Sequence, residues 1–477
     1  MNTTSPASPD EIEYGPLYAD RTKVYPKSVK GPVRRVKWAV LIICLTLYYT
    51  VPWIRYDRGP GQPDQALLLD MAGRRFYLLG LEIWPQELYY LVGLLVVAAV
   101  GLFLVTSLVG RVWCGFTCPQ TVWTDLFMWV ERQVEGDRNA RMKLDAAPWT
   151  AHKALLKVTK HGLWLIVAVL TGGAWIMYYV DAPTVTREML TGMASVEVYG
   201  FTALFSATTY VLAGWAREQV CTFMCPWPRF QSAMFDERTL TVTYEAWRGE
   251  KRGKPSDPTA GDCVDCGQCI AVCPTGIDIR DGIQLECIGC GLCADACNTV
   301  MAKLDRKPWL IRWDSLASQA ARAAGGKPVR MVRRLRTAIY ATLLVIAGSA
   351  MTVALASREP IEISVLHDRS PVYIRLSDGS IRNGYIVKIL NKTNQAHAFI
   401  LTAEGPPGLV LTVQENLSYA MIVQPDEVGT FRAFLKLPEG VGESVEVTLT
   451  VTDANTGDSA EYRTTFVGPP SNNAGKP

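Results

Sequence analysis

The sequence predicts a multidomain membrane protein in three parts: a five-helix α-helical transmembrane domain, a cysteine-rich domain inserted before the last helix, and a C-terminal all-β sandwich. Three observations predict it. Five apolar runs each approach the ~20 residues that a bilayer requires. Twelve of the 13 cysteines fall into four tight groups, none beyond Cys297. The chain after residue 357 alternates apolar and polar residues in short runs. A chain of 477 residues also exceeds one ordinary domain, since about 150 residues per unit is the usual scale. Apolar residues make up 49%, too many for a polar, disordered or nucleic-acid-coating chain, so no nucleic-acid partner is expected.

Residues 1–36 form a polar, cytoplasmic N-terminal tail in which Arg21, Lys23, Lys27, Lys30, Arg34 and Arg35 precede the first apolar run, Trp38–Ile54. So long a charged lead, with no small-residue cleavage site after the run, argues against a signal peptide. Further runs lie near Leu88–Val109, Leu155–Val180, Val196–Trp215 and Ala338–Ala356. Residues 37–245 therefore hold helices 1–4 with a cytoplasmic loop 110–154. Residues 246–326 form the inserted cytoplasmic domain, 327–357 the fifth helix, 358–470 the sandwich and 471–477 a tail. Basic flanks set the orientation: residues 21–37, the loop 110–160 and the run Lys327, Arg330, Arg333, Arg334, Arg336 belong on the cytoplasmic side. The loop 181–195 carries only Arg187, and the loop 57–85, with Arg58, Arg74 and Arg75, is the least decisive. Five spans that begin inside end outside, which makes the sandwich periplasmic in a Gram-negative cell. Its charge differs from the rest: 9 Lys/Arg against 13 Asp/Glu from Pro360 onward, in a chain of formal charge +3. A soluble protein with buried core helices is the competing reading, and the run lengths count against it.

In the sandwich, runs such as Val372–Leu376, Tyr385–Leu390, Thr430–Leu437 and Val445–Val451 are punctuated by Gly, Asn, Asp and Pro. With no cysteine and no catalytic cluster it reads as a structural or docking module. Asn391-Lys-Thr and Asn416-Leu-Ser match a glycosylation pattern, a short and weak motif. Residues 249–261 read as a linker.

The sharpest motif is Cys263-x2-Cys266-x2-Cys269-x3-Cys273-Pro274, followed after 13 residues by Cys287-x2-Cys290-x2-Cys293-x3-Cys297. This duplicated spacing is that of a two-[4Fe-4S] ferredoxin-like domain, in which the fourth cysteine of each motif reaches the other cluster. Cys263, Cys266, Cys269 and Cys297 are thus assigned to one cluster, and Cys287, Cys290, Cys293 and Cys273 to the other. Gly267, Gly289 and Gly291 suit close backbone approach. Asn298 stands where a proline often follows, and the spacer is short. Zinc is the alternative ligand for such thiols. With only His152, His161, His367 and His397 in the chain, a His-rich zinc, haem or non-haem iron centre is disfavoured.

The second signal is a pair of membrane-edge motifs, Cys114-x3-Cys118-Pro119 and Cys221-x3-Cys225-Pro226. In helical backbone each spacing puts both sulfurs on one face, and the proline fits a helix that ends or kinks there. Four convergent thiolates, with Met224 nearby, would suit Cu(I). Arg111 and Arg217 are expected to lower the thiol pKa values. A third cluster, a disulfide pair, or thiols that merely pack helix ends are the other readings. Cys44 reads as a small apolar packer. His152 and His161 lie on opposite helical faces and read as interfacial, as do Met189 and Met193. Thr121–Glu135 has helical periodicity suited to the membrane surface.

Together these segments resemble the cytochrome c oxidase accessory protein family CcoG/FixG/RdxA. The resemblance spans most of the chain and is most specific in Trp113–Trp123, Cys221–Gln231, Cys273–Arg280 and Glu286–Cys290. It implies a bacterial inner-membrane protein acting in assembly of the cbb3-type cytochrome oxidase, with a C-terminal immunoglobulin-like domain. It also implies a cupric reductase activity supplying Cu(I). On that reading a cytoplasmic electron donor reduces two [4Fe-4S] clusters, and a copper ion is held at Cys114, Cys118, Cys221 and Cys225. Two other classes remain: a quinol-linked electron-transfer module, for which Glu82, Glu87, Asp181 and Glu188 are the available proton acceptors, and a non-catalytic scaffold. The scaffold's sandwich would dock a copper chaperone, a P-type copper transporter or the oxidase.

Overall fold

Among the residues described by the computed structural model, five helices are long and apolar enough to cross a membrane: Pro32–Trp53, Pro85–Val109, Ala151–Ile176, Val196–Ala233 and Leu335–Ala356. The described residues are 23–59, 61–329, 334–358, 361–393, 395–414, 420–425, 427–438 and 443–469. Arg21, Arg330, Arg333, Asn416 and the tail 471–477 lie outside them. The first and fifth helices begin before their apolar runs, because helical backbone continues through flanking basic residues. The fourth departs most from the sequence reading. It covers 38 residues because two π-helical turns, Tyr210–Ala216 and Val220–Met224, carry the chain past Trp215.

The chain divides into two compact units, Met1–Tyr56 with Gln65–Met351 and Asp57–Asp64 with Thr352–Pro477. Within the first, a three-stranded meander, β1 (Leu67–Asp70), β2 (Arg75–Leu78) and β3 (Leu81–Ile83), connects the first two spans. The helix Pro119–Glu135 has the periodicity read from the sequence and packs one face into the first unit. Val122, Phe127 and Val130 are buried, and so are the carboxylates Asp125, Glu131 and Glu135. Buried charges are costly unless paired, and here each has partners: Asp125 with Arg34 at 2.8 Å, Glu131 with Arg217 at 2.8 Å and Arg141 at 2.9 Å, and Glu135 with Lys157 and Lys160, both at 2.9 Å. This ladder ties the helix to the first, third and fourth spans and thereby fixes the membrane edge.

The cysteine-rich segment is framed by an antiparallel ribbon of β4 (Thr241–Tyr244) and β5 (Ile311–Asp314). Val242, Tyr244, Ile279, Ala294, Met301, Leu310 and Ile311 pack there around Cys263 and Cys269. A distant carboxylate locks the segment to the first span. Asp295 accepts from the backbone N–H groups of Val33 at 3.3 Å and Arg34 at 2.8 Å, donors that the start of a helix leaves without internal partners.

Among its described residues the second unit contains nine strands: β6 (Ile361–His367), β7 (Ile374–Arg375), β8 (Ile381–Asn391), β9 (His397–Glu404), β10 (Val410–Gln414), β11 (Ala420–Val423), β12 (Glu427–Leu437), β13 (Ser444–Asp453) and β14 (Ser459–Val467). They form two antiparallel sheets, β10-β12-β8-β6 with β7 on β8, and β11-β9-β13-β14, the all-β sandwich that the alternation predicts and that the resemblance implies to be immunoglobulin-like. Tyr385, Val387, Ile389, Phe399, Leu435, Leu449 and Phe466 fill the space between them. Asn383 of β8 exchanges two hydrogen bonds, both 2.9 Å, with the backbone of Val467 in β14. Asn391 is fully buried and its amide donates to Gln395 O and Val423 O. Burial removes it as a glycosylation site in the folded chain.

Candidate functional site

The two cysteine motifs of the ferredoxin-like segment are built alike. Gly267 and Gly291, with φ of 63° and 68°, each start a helix, Gln268–Ala271 and Leu292–Lys303, so that the third cysteine of each motif sits in the first turn. Positive φ favours glycine at both positions. The longer second helix carries Cys297 away from Cys293. Its sulfur then lies in the electrostatic reach of Cys269, Cys263 and Cys266, whereas Cys293 is surrounded by Cys290, Cys287, Cys273 and Cys269. Cys297 thus neighbours the first motif and Cys273 the second, while Cys269 neighbours both groups.

Burial pushes the Cys287 and Cys297 thiols up to about 12 and Cys269 up to about 11, with neighbouring cysteines adding to the rise at Cys297. Metal-free, these groups are thiols at neutral pH, and a metal must displace their protons. In a [4Fe-4S] cube four cysteines are bound to different irons, so four sulfurs spaced around a core suit it better than donors meeting at a point. Among the described residues no three His, Cys, Asp or Glu side chains close around one ion. The eight ferredoxin-type cysteines, with their duplicated spacing, suit two such clusters.

The two membrane-edge motifs are not α-helical. Each is a π-helical turn, Trp113–Thr117 and Val220–Met224, closed by the N–H of the second cysteine: Cys118 N donates to Trp113 O at 2.9 Å and Cys225 N to Val220 O at 2.8 Å. Such wide turns concentrate at functional sites. Cys118 and Cys225 then leave helical geometry, and Pro119 starts the following helix at a position where its missing N–H costs nothing. The four thiols face one cavity without three of them closing around a single ion. Cys114, Cys118, Cys221 and Cys225 line one cavity of about 260 Å³, and Arg111, Gln120 and Cys287 stand in its wall. Cys114 Sγ donates to Gln231 Oε1 at 3.3 Å. All thirteen cysteines are free thiols, so neither motif is a disulfide.

Three sequence expectations fail at this site. The Cys114 thiol is not lowered; burial and the Cys118 sulfur push it up to about 12, outweighing Arg111. Arg217 does not serve the thiols, because its guanidinium pairs with Glu131. Met224 is 62% exposed and is not part of the cavity wall. Elsewhere, Cys44 is half-buried, His152 is exposed, and His161 Nδ1 meets the Tyr210 hydroxyl at 2.7 Å. Met189 is half-buried and Met193 exposed. Three of the four carboxylates offered for quinol chemistry have structural work: Glu82 pairs with Arg75 at 3.1 Å, Glu87 accepts from Trp84 N at 3.2 Å, and Asp181 pairs with Arg55 and caps Thr184.

Sequence reasoning missed the joint between the two cysteine systems. A Cβ on Gly115 would sit 3.0 Å from the Cys290 backbone, and one on Gly289 about 3.1 Å from Arg111. The membrane-edge turn and the second ferredoxin loop therefore meet backbone to backbone. A glycine inside each motif is the only local signal of that approach.

Residues 216–316 match a family described as a 4Fe-4S dicluster domain, residues 91–135 one described as a 4Fe-4S binding domain, and residues 351–469 one described as an IG-like fold at the C-terminal of FixG. The nitrogen fixation protein FixG of Rhizobium meliloti is 45% identical over 463 residues, covering 89% of this chain and 88% of that protein. Protein RdxB of Cereibacter sphaeroides is 46% identical over 473 residues, 97% of this chain and 99% of that protein. Protein RdxA of the same organism is 43% identical over 428 residues, 89% and 91%.

Proposed function

Because the chain belongs to the FixG/RdxA/RdxB family of membrane iron–sulfur proteins, we propose that it is a cupric reductase whose product, Cu(I), is delivered for assembly of a cbb3-type cytochrome oxidase. The observation that carries this reading is the cavity shared by Cys114, Cys118, Cys221 and Cys225, with Cys287 of the ferredoxin-like segment in its wall. Cys263, Cys266, Cys269 and Cys297 would hold an outer cluster, and Cys287, Cys290, Cys293 and Cys273 an inner one. When bound, such clusters supply single electrons, and the conversion of Cu(II) to Cu(I) consumes one. No proton is transferred to copper, so no side chain need act as acid or base on it. Soft sulfur donors favour the reduced ion, which makes the four-thiol cavity better matched to product than to substrate. The basic flanks put the ferredoxin-like segment in the cytoplasm, within reach of a low-potential donor there, and the sandwich in the periplasm. A copper chaperone or P-type copper transporter is the partner class that would pass copper on.

The test is anaerobic Cu(II) reduction by the purified, cluster-reduced protein beside a variant with Ser at Cys114, Cys118, Cys221 and Cys225. The wild type should oxidise its clusters and retain Cu(I), while the variant keeps about eight irons and loses both. Equal oxidation and equal copper retention in the two proteins would remove the thiols from the chemistry.

A further inference from the structure

Arg111 lies three residues before Cys114, and nothing assigned so far uses it. Its side chain is buried. One guanidinium nitrogen donates to the carbonyls of Leu285 and of Cys287, the latter at 2.9 Å, and another donates to Pro228 O at 2.7 Å. Each of the three segments joined by this fork carries candidate ligands: the first membrane-edge turn, the chain after Cys225-Pro226, and the loop that opens the second ferredoxin motif. The hydrogen bonds go to neutral carbonyls, which leave the positive charge in place, and that charge acts on the Cys287 and Cys114 sulfurs. A guanidinium stays protonated at any working pH. The outer quartet has cations too, but Arg280 beside Cys269 is paired with Asp278 at 2.6 Å and Asp265 at 2.5 Å, and Arg248, which acts on Cys297, is paired with Glu245 at 3.0 Å and Asp262 at 2.7 Å. The other cation that acts on the inner quartet, Lys37 near Cys290, shares Asp125 with Arg34.

We infer that Arg111 is a positioning residue that holds the inner cysteine loop against the four-thiol cavity and raises the reduction potential of the inner cluster above that of the outer one. Glu286 also acts on this guanidinium, but the guanidinium's hydrogen bonds go to neutral carbonyls; adding an electron to a buried group costs less beside such a cation, and the low dielectric of a buried site magnifies the effect. Hydrogen bonding and nearby charge are levers a protein has on cluster potential. The potential half of this inference needs no copper. The transfer half rests on the reductase reading.

The experiment is EPR-monitored redox titration and iron analysis of the full-length protein in detergent, comparing wild type, Arg111→Lys and Arg111→Gln. Arg111→Gln should lower one midpoint by 59 mV or more, a tenfold change in a one-electron equilibrium, and leave the other in place. Arg111→Lys keeps the charge but loses the fork. Its midpoints should stay at wild-type values while Cu(II)-dependent oxidation of the reduced clusters slows at least tenfold. Unchanged midpoints in Arg111→Gln, or equal shifts of both, overturn the electrostatic role, and a wild-type oxidation rate in Arg111→Lys overturns the positioning role. Selective loss of about four of eight irons from Arg111→Gln supports positioning of the inner loop, whereas uniform loss overturns it. If wild type itself fails to reduce Cu(II), the reductase reading falls and the midpoint comparison still decides the electrostatic role.

Discussion

Cys266 of the outer quartet is exposed, whereas Cys290 of the inner quartet is buried beneath the membrane-edge turn at Gly115. The two quartets share spacing, a left-handed glycine and a helix start, so local sequence does not separate them. What differs is the neighbour. The outer loop exposes Cys266 beside a cation that two aspartates pair with, and the inner loop faces the spans beside a cation whose hydrogen bonds go to backbone carbonyls. Duplication supplies two equivalent sites, and tertiary packing gives them distinct surroundings.

Four measurements would break or sharpen that contrast. The largest effect is expected from comparing Cys266→Ser with Cys290→Ser. Each should cut iron from about eight to about four per chain, but only Cys290→Ser should also lower copper retention at the four-thiol cavity. Matching copper retention in the two variants would erase the distinction. Next is acidification. Burial opposes ionisation of Glu131, yet Arg217, Arg141 and Lys160 hold its carboxyl down to about 2, below the ordinary value of about 4.3. A lowered folded-state pKa stabilises above the unfolded value and is lost as pH falls toward the folded one. Stability on the order of 3 kcal/mol should therefore disappear between about pH 4.3 and 2, read from thermal midpoints, and Glu131→Gln should flatten that dependence.

Gly115→Ala comes third. Its methyl would press on the Cys290 and Gly289 backbone, and overpacking of this kind costs about 1–3 kcal/mol. Thermal release of iron should begin earlier from the inner site, and equal release from both would contradict the arrangement. The smallest effect is expected from Asp278→Asn, which removes a partner of Arg280. The outer midpoint should rise by an amount up to about 60 mV in redox titration, with the inner midpoint unmoved.

The spans, the sandwich and the eightfold cysteine spacing were legible in the sequence because each rests on a local periodicity. Hydropathy located the five helices to within several residues at most ends, and alternation located the strands. The fourth span was read short because π-helical turns leave no compositional trace. The direction of the Cys114 shift was misread for a related reason: Arg111 is near in sequence, but the burial that outweighs it comes from elements far along the chain. Arg111 and Cys287 are 176 positions apart, and no periodicity reports such a meeting. Asn391 illustrates the same limit, since a three-residue pattern carries no information about whether the middle of a sheet covers it.

Asp295 gives the chain a schedule. The helix of the first span is capped by a carboxylate that lies 261 positions further along than Arg34. At about 5–20 residues per second of synthesis, roughly 13–50 s pass between the making of that helix and the making of its cap. Through that interval three further spans can insert while the first still lacks its final anchor. The bundle is then locked by the same helix that carries Cys293 and Cys297, so completion of the membrane part waits on the cysteine-rich part. A biogenesis machinery that loads iron late would thus be loading the last fastener of the whole first unit.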